Sequence, residues 1–327
     1  MIMKIVDKIW LLAAMFAFSA CGSDETIVGQ EEPVKELKEY TVSLKLGGEV
    51  TTSESPLARA ETESTDLYGV QVSRKLNGSD TYGNFAYGLF DNVNDMKINL
   101  LEDSKYKFRV LYIKKGKDVV DYKSIYYGSG YVGPFGHIGW NDNGYSITIG
   151  TECSNSYTWG GTFKDDLATG AYYEADTYYG EVSDYTPSVN GTVEIDLKHT
   201  VFGLQYAVTG ITDGTVSVTI KKDSHNFFKK TDIATDYTSE EKIISFSEVY
   251  NAWQYADNYT ENLTVSLSWT RGVGVVQDLG TKTIQVKRNV MNVVRIQLGA
   301  NDGSATFGIT TEDDTSMETE SVDIPLN

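Results

Sequence analysis

Apolar and polar side chains alternate with a period of two along most of this chain. Val42, Leu44 and Leu46 alternate with Thr41, Ser43 and Lys45, and Val193, Ile195 and Leu197 alternate with Thr192, Glu194 and Asp196. Val216, Val218 and Ile220, then Ile284 and Val286, then Val294, Ile296 and Leu298 repeat the pattern. A period of two sends successive side chains to opposite faces of a strand, one face to a core and one to water. Further strands are expected at 67–74, 84–90, 96–101, 105–114 and 262–270. Asn77-Gly78, Asn143-Gly144, Asn190-Gly191 and Asp213-Gly214 are expected to supply positive-φ turns. The strongest helix signal is 246–256, where Ser247 is placed to cap a short helix burying Val249, Tyr250 and Trp253. Many short strands separated by turn signals predict an all-β chain of two tandem β-sandwiches. The boundary is drawn near Asn190, giving domains at 40–190 and 191–327, and the 192–198 strand fits either half.

The N-terminus breaks the alternation. Lys4 and Lys8 flank a basic region, Ile9 to Phe18 is a short apolar run, and the small residues Ser19 and Ala20 precede Cys21. This is the layout of a secretory signal peptide over 1–20. The run is about half the ~20 residues that a spanning helix needs. Phe18-Ser19-Ala20-Cys21 resembles the lipobox of bacterial lipoproteins, with Phe18 where that family usually has Leu. The resemblance implies acylation of Cys21 and outer-membrane attachment through the lipid; the alternative is an ordinary signal peptide with a chance cysteine. Gly22, Ser23, Asp24 and Glu25 follow, resembling the export signal of surface-displayed lipoproteins, and also reading simply as a solvated tether over 21–39.

Charge sharpens the class. The 327 residues carry 28 Lys plus Arg and 46 Asp plus Glu, a net −18. A chain this acidic has no basic footprint for nucleic acid. Much of the charge lies at the ends: 21–40 carries −4, and 301–327 carries −7 without a single Lys or Arg. Once Cys21 is acylated, Cys153 is the only remaining thiol, so no intrachain disulfide is expected.

Chemical motifs are weak. Gly128-Ser129-Gly130-Tyr131-Val132-Gly133 spells G-x-G-x-x-G, but Pro134, Gly136 and Gly139 prevent the helix that a dinucleotide site requires. His137, His199 and His225 make no metal-binding or triad spacing. Asn141-Asp142-Asn143-Gly144 lacks the full calcium-loop register. No catalytic pair, metal or cofactor is expected. Residues 122–185 hold 15 of the 39 aromatics, interleaved with Gly, Asn and Asp. Flat aromatic faces among adaptable polar groups suit glycan or protein recognition, with Trp140 and Trp159 as the contact candidates. The plainer reading is an insertion that packs its own aromatics.

Four segments together resemble the fimbrillin superfamily of Bacteroides-type surface lipoproteins. They are the lead strand with SESPLARAETEST and DLYGVQVSRK over 40–74, KYKFRVLYIKKG at 105–116, YYGEVSDYTP at 178–187 running into NGTVEIDLKHTVFGLQYAV, and VKRNVMNVVRIQL at 286–298. Arg288-Asn289 lies at a turn in the last segment, and His199 stands where the family usually has Arg. The resemblance implies two transthyretin-like β-sandwich domains and a structural or accessory role in pilus assembly or adhesion. It further implies proteolysis after an Arg in the loop following the first strand, here between Arg59 and Ala60; the plainer reading of Arg59 is an ordinary arginine in a polar loop. Removing that strand opens a groove that a neighbouring subunit's C-terminal strand fills by β-augmentation. Val322, Ile324 and Leu326 alternate with Ser321, Asp323 and Pro325 as the candidate donor strand, which equally suits closing its own sheet edge. The partners implied are the membrane through the lipid, other pilus subunits or surface proteins, and glycans under the second reading.

Overall fold

The computed structural model describes residues 37–50, 65–119, 126–127, 130–131, 144–147, 174–246, 249–254, 258–272, 274–299, 305–312 and 320–322. The first half holds β1 (Glu39–Gly48), β2 (Leu67–Leu76), β3 (Gly83–Phe90), β4 (Lys97–Leu101) and β5 (Ser104–Ile113). After helix α1 (Gly116–Val119) come the short β6 (Tyr126–Tyr127), β7 (Gly130–Tyr131) and β8 (Gly144–Ile147), then β9 (Thr177–Tyr185) and β10 (Gly191–His199). The second half holds β11 (Val201–Thr209), β12 (Thr215–Lys222), β13 (His225–Ile233), β14 (Tyr237–Thr238) and β15 (Lys242–Ser245). Helix α2 (Val249–Gln254) precedes β16 (Thr260–Thr270), β17 (Val276–Lys287), β18 (Met291–Leu298), β19 (Ala305–Glu312) and β20 (Glu320–Val322).

Strand order in the first sheet is β4-β1-β10-β9-β5-β2-β3-β8. β10 meets β9 only through Lys198–Tyr179 and His199–Tyr178. The sheet turns over there and closes on itself as two layers. Val42, Leu44, Ile98, Val193, Ile195 and Leu197 from one layer share a core with Val70, Val72, Phe108 and Val110 from the other. The crossing depends on Gly180, where a Cβ would stand 2.3 Å from the Asp196 carbonyl oxygen. Only a glycine lets two backbones approach so closely.

The second half pairs a six-stranded sheet, β14-β11-β18-β19-β20 with β15 on β11, with a four-stranded sheet, β13-β12-β16-β17. Phe202, Leu204, Tyr206, Val294 and Ile296 from the first pack against Val216, Val218, Ile220, Val265 and Trp269 from the second. Each buried Val, Leu, Ile or Phe contributes about 1.5–3 kcal/mol, so these two clusters hold most of the stability.

The two halves repeat one topology. β1 runs parallel to β10 as β11 runs parallel to β18. β4 flanks β1 as β14 and β15 flank β11. The order β3-β2-β5-β9 matches β13-β12-β16-β17. The aromatic segment falls largely in the β5–β9 connection, where the second half has a short β16–β17 hairpin.

Two expectations are revised and one open alternative is resolved. The strand 191–199, which by sequence fits either half, pairs with β1 and β9 and places Val193, Ile195 and Leu197 in the first core. Gly191 opens β10 without positive φ, whereas Gly78 and Gly214 adopt φ of 84° and 68°; Asn190 instead accepts the Thr41 N–H at 2.9 Å. α2 buries Val249 and Ala252, while Tyr250 and Trp253 are half-buried. Their rings stand edge-on to Tyr179 of β9 at 6.4 Å and 5.8 Å, so α2 fastens the second half to the first.

Candidate functional site

The first strand is fully built into its sheet. β1 pairs with β4 on one side, Val42 opposite Ile98, and with β10 on the other, Leu44 opposite Val193. It ends at Gly48, whose φ of 85° and 2.4 Å Cβ approach to the Leu197 carbonyl demand glycine. The next residue, Glu49, donates its N–H to that same Leu197 oxygen at 2.8 Å. Its side chain turns toward the second half.

There the β17–β18 turn presents Arg288, whose side chain is 4% exposed. Arg288 Nη1 donates to Glu49 Oε2 at 2.7 Å and Nη2 donates to Oε1 at 3.0 Å. Nη1 also donates to the His199 carbonyl at 2.9 Å, and the His199 N–H donates to Glu49 Oε2 at 2.8 Å. A bidentate guanidinium–carboxylate pair fixes geometry as well as charge. Partial burial pushes the Glu49 carboxyl up, but the Arg288 and His199 contacts outweigh it and hold the carboxyl below its ordinary range.

His199 carries the joint onward. Its Nδ1 lies 2.7 Å from Asn289 Oδ1 and its Nε2 lies 2.5 Å from Asp176 Oδ1. Its ring stacks on Tyr178 at 4.3 Å. Asn289 holds φ of 58° in the turn, a region Asn tolerates better than most residues. Nearby, the buried Thr177 hydroxyl lies 3.0 Å from the hydroxyls of both Thr200 and Ser245. They satisfy one another where β10 passes into β11.

Chemically the joint is a latch. It ties the exit of β1 to the second sandwich through the Arg288–Glu49 ion pair and the His199–Asn289 hydrogen bond. Among the described residues, no group of three His, Cys, Asp or Glu is placed to hold a metal.

The sequence motifs meet here selectively. Tyr178, His199, Arg288 and Asn289, all from segments resembling fimbrillins, converge. Glu49 and Asp176 joined them without a local signal. Tyr179, from the aromatic segment, is buried in the contact with α2. Cys21, Arg59, Ala60, Trp140, Trp159, Ile324 and Leu326 lie outside the described residues. Val322 lies in β20, opposite Ile309 of β19, at the edge of this chain's own six-stranded sheet.

No protein-family model matches the chain, and no curated protein matches it. Solved structures do. The fimbrial anchor protein Mfa2 of Porphyromonas gingivalis is similar at 10% identity and a TM-score of 0.38, covering 87% of this chain and 100% of its own. A candidate cell adhesion protein of Bacteroides ovatus is similar at 11% identity and 0.33, covering 89% of this chain and 100% of its own. A fimbrial assembly protein of Parabacteroides distasonis is similar at 11% identity and 0.30, covering 88% and 99%. These three structures are fimbrial and adhesion proteins of Bacteroides, Parabacteroides and Porphyromonas.

Proposed function

We propose that this chain is a non-enzymatic surface lipoprotein of the fimbrillin type, a structural or accessory subunit in pilus assembly or adhesion. It is anchored in the outer membrane through Cys21, displayed at the cell surface, and divided into two sandwich domains near Thr200. The observation that carries this reading is the convergence of the dispersed fimbrillin-like segments on one joint, with Arg288 and Glu49 239 positions apart in the chain.

The joint gives the Arg59 reading a physical consequence. Cleavage after Arg59 removes β1 and Glu49 together. It leaves β4 and β10 with unpaired backbone edges, and a buried Arg288 without its carboxylate. Such a slot invites a strand from outside, for which Val322, Ile324 and Leu326 of a neighbouring copy have the alternation.

The test is the mature N-terminus together with surface proteolysis of intact cells. Acylated Cys21 identifies an anchored accessory subunit, and Ala60 identifies a polymerising one. Complete protection of the chain on intact cells contradicts surface display.

A further inference from the structure

The layer formed by β3, β2, β5 and β9 is buried on both faces. One face gives Val70, Val72, Phe108 and Val110 to the first core. The other carries Leu67, Leu89, Leu111, Ile113 and Tyr179, all 5% exposed or less, and none of them belongs to either core. They form one patch. Leu67 stands opposite Ile113, Gly69 lies between Leu89 and Leu111, and Leu111 stands opposite Tyr179. Beside the patch, Ser73 is 0% exposed and its hydroxyl has no hydrogen-bond partner among the described residues. The outer face of a two-layer sandwich is ordinarily polar and solvated, so this one is covered by a further layer.

Two short helices meet the face. Gly116 of α1 abuts Leu67, where a Cβ would stand 2.7 Å from the Leu67 Cβ, and α2 meets Tyr179. Helices of four and six residues are only about 6 and 9 Å long, against four strands spanning ~14 Å.

The path of the chain supplies the rest of the cover. β8 lies beyond β3 at one edge of these strands, and β9 lies beyond β5 at the other. Each step in β8-β3-β2-β5-β9 is antiparallel. Four reversals leave β8 and β9 pointing the same way. The connection from Ile147 to Thr177 therefore leaves one end of the sheet and re-enters at the other, which requires a crossover along a face. The core face is filled by side chains of β1, β4 and β10, which leaves the outer face.

We propose that residues 148–173 cross this outer face and bury it, giving the first sandwich a third layer made by its own chain. The composition of the segment fits. Tyr157, Trp159, Phe163, Tyr172 and Tyr173 suit the apolar patch. Glu152, Asp165 and Asp166 outnumber Lys164, which suits a face where Lys107 and Arg109 lie against one carboxylate, Glu181. Trp159 is then a packing residue, and this side of the first sandwich is not available to a partner. The surface-subunit reading does not require this layer.

The test is photo-cross-linking of the purified full chain with photo-leucine in place of leucine, read by mass spectrometry of the linked peptides. Leu89 and Leu111 link to peptides within 148–173, whereas Leu197 of the first core does not. No link from Leu89 or Leu111 into 148–173 overturns the proposal. A second measurement reads the burial. Leu111→Asn lowers the melting midpoint at least half as far as Val110→Asn at the adjacent core position. A Leu111→Asn protein that melts with the wild type overturns the proposal as well. Both measurements use the isolated chain, so their failure leaves the surface-subunit reading standing.

Discussion

Arg288 closes both terminal guanidinium nitrogens on the carboxylate of Glu49, at 2.7 Å and 3.0 Å. One partner ends the first strand and the other opens a turn in the second sandwich. The pair couples the lead strand to a domain that contributes no strand to its sheet.

Replacing Arg288 with Met strands the Glu49 carboxylate and the His199 carbonyl. Losing one member of a buried pair costs about 3–5 kcal/mol; with the Glu49 side chain 34% exposed, about 2 kcal/mol is expected. Glu49→Gln keeps an acceptor and costs less. Urea denaturation of the single and double variants measures the coupling, and additive effects would remove the pair from the account.

Acid weakens the same joint. The folded-state value of Glu49 lies below its unfolded value, so its contribution is fully present above the unfolded value and fades as pH falls through the folded one. Stability therefore declines on the acid side, and Glu49→Gln flattens that decline. Melting curves from pH 6 to pH 3 report the difference; parallel curves for both proteins would contradict the assignment.

Gly180→Ala places a methyl group against the Asp196 carbonyl, where a Cβ would stand 2.3 Å away. The clash is with backbone, so no rotamer relieves it. A loss of more than about 2 kcal/mol is expected, with the β9–β10 crossing exchanging its amide hydrogens faster. Wild-type stability in this variant would show that the strands separate there at little cost.

Tyr179→Ala removes the ring that Trp253 and Tyr250 abut. The buried truncation costs about 3 kcal/mol and loosens α2 from β9. Calorimetry is expected to resolve two transitions where the wild type shows closer coupling. A single unaltered transition would place the coupling entirely in the Arg288 latch.

The strands were legible because their signal is local. The run at 105–114 appears as β5 and the run at 262–270 within β16. β13 was not legible, since Lys229, Lys230, Thr231 and Asp232 lie exposed on an edge and break the alternation. The helix signal at 246–256 corresponds to α2 at Val249–Gln254, but hydrophobicity alone misplaces its buried face. Tyr250 and Trp253 look like core residues by hydrophobicity, yet they meet β9 of the other half. The joint was half legible: Arg288, Asn289 and His199 stood out by resemblance, whereas Glu49 looks like any loop carboxylate.

By itself, the sequence determined where many of the longer strands lie, where several turns fall, and that apolar faces exist for two cores. Period-two alternation encodes these locally, since each side chain's direction follows from its neighbours. Only the tertiary structure decided that β10 joins the first sheet, that β1 lies between β4 and β10, and that Glu49 answers Arg288. Those outcomes depend on register and contact between segments far apart in the chain, and no local pattern specifies which distant partner a strand edge or a buried charge will meet.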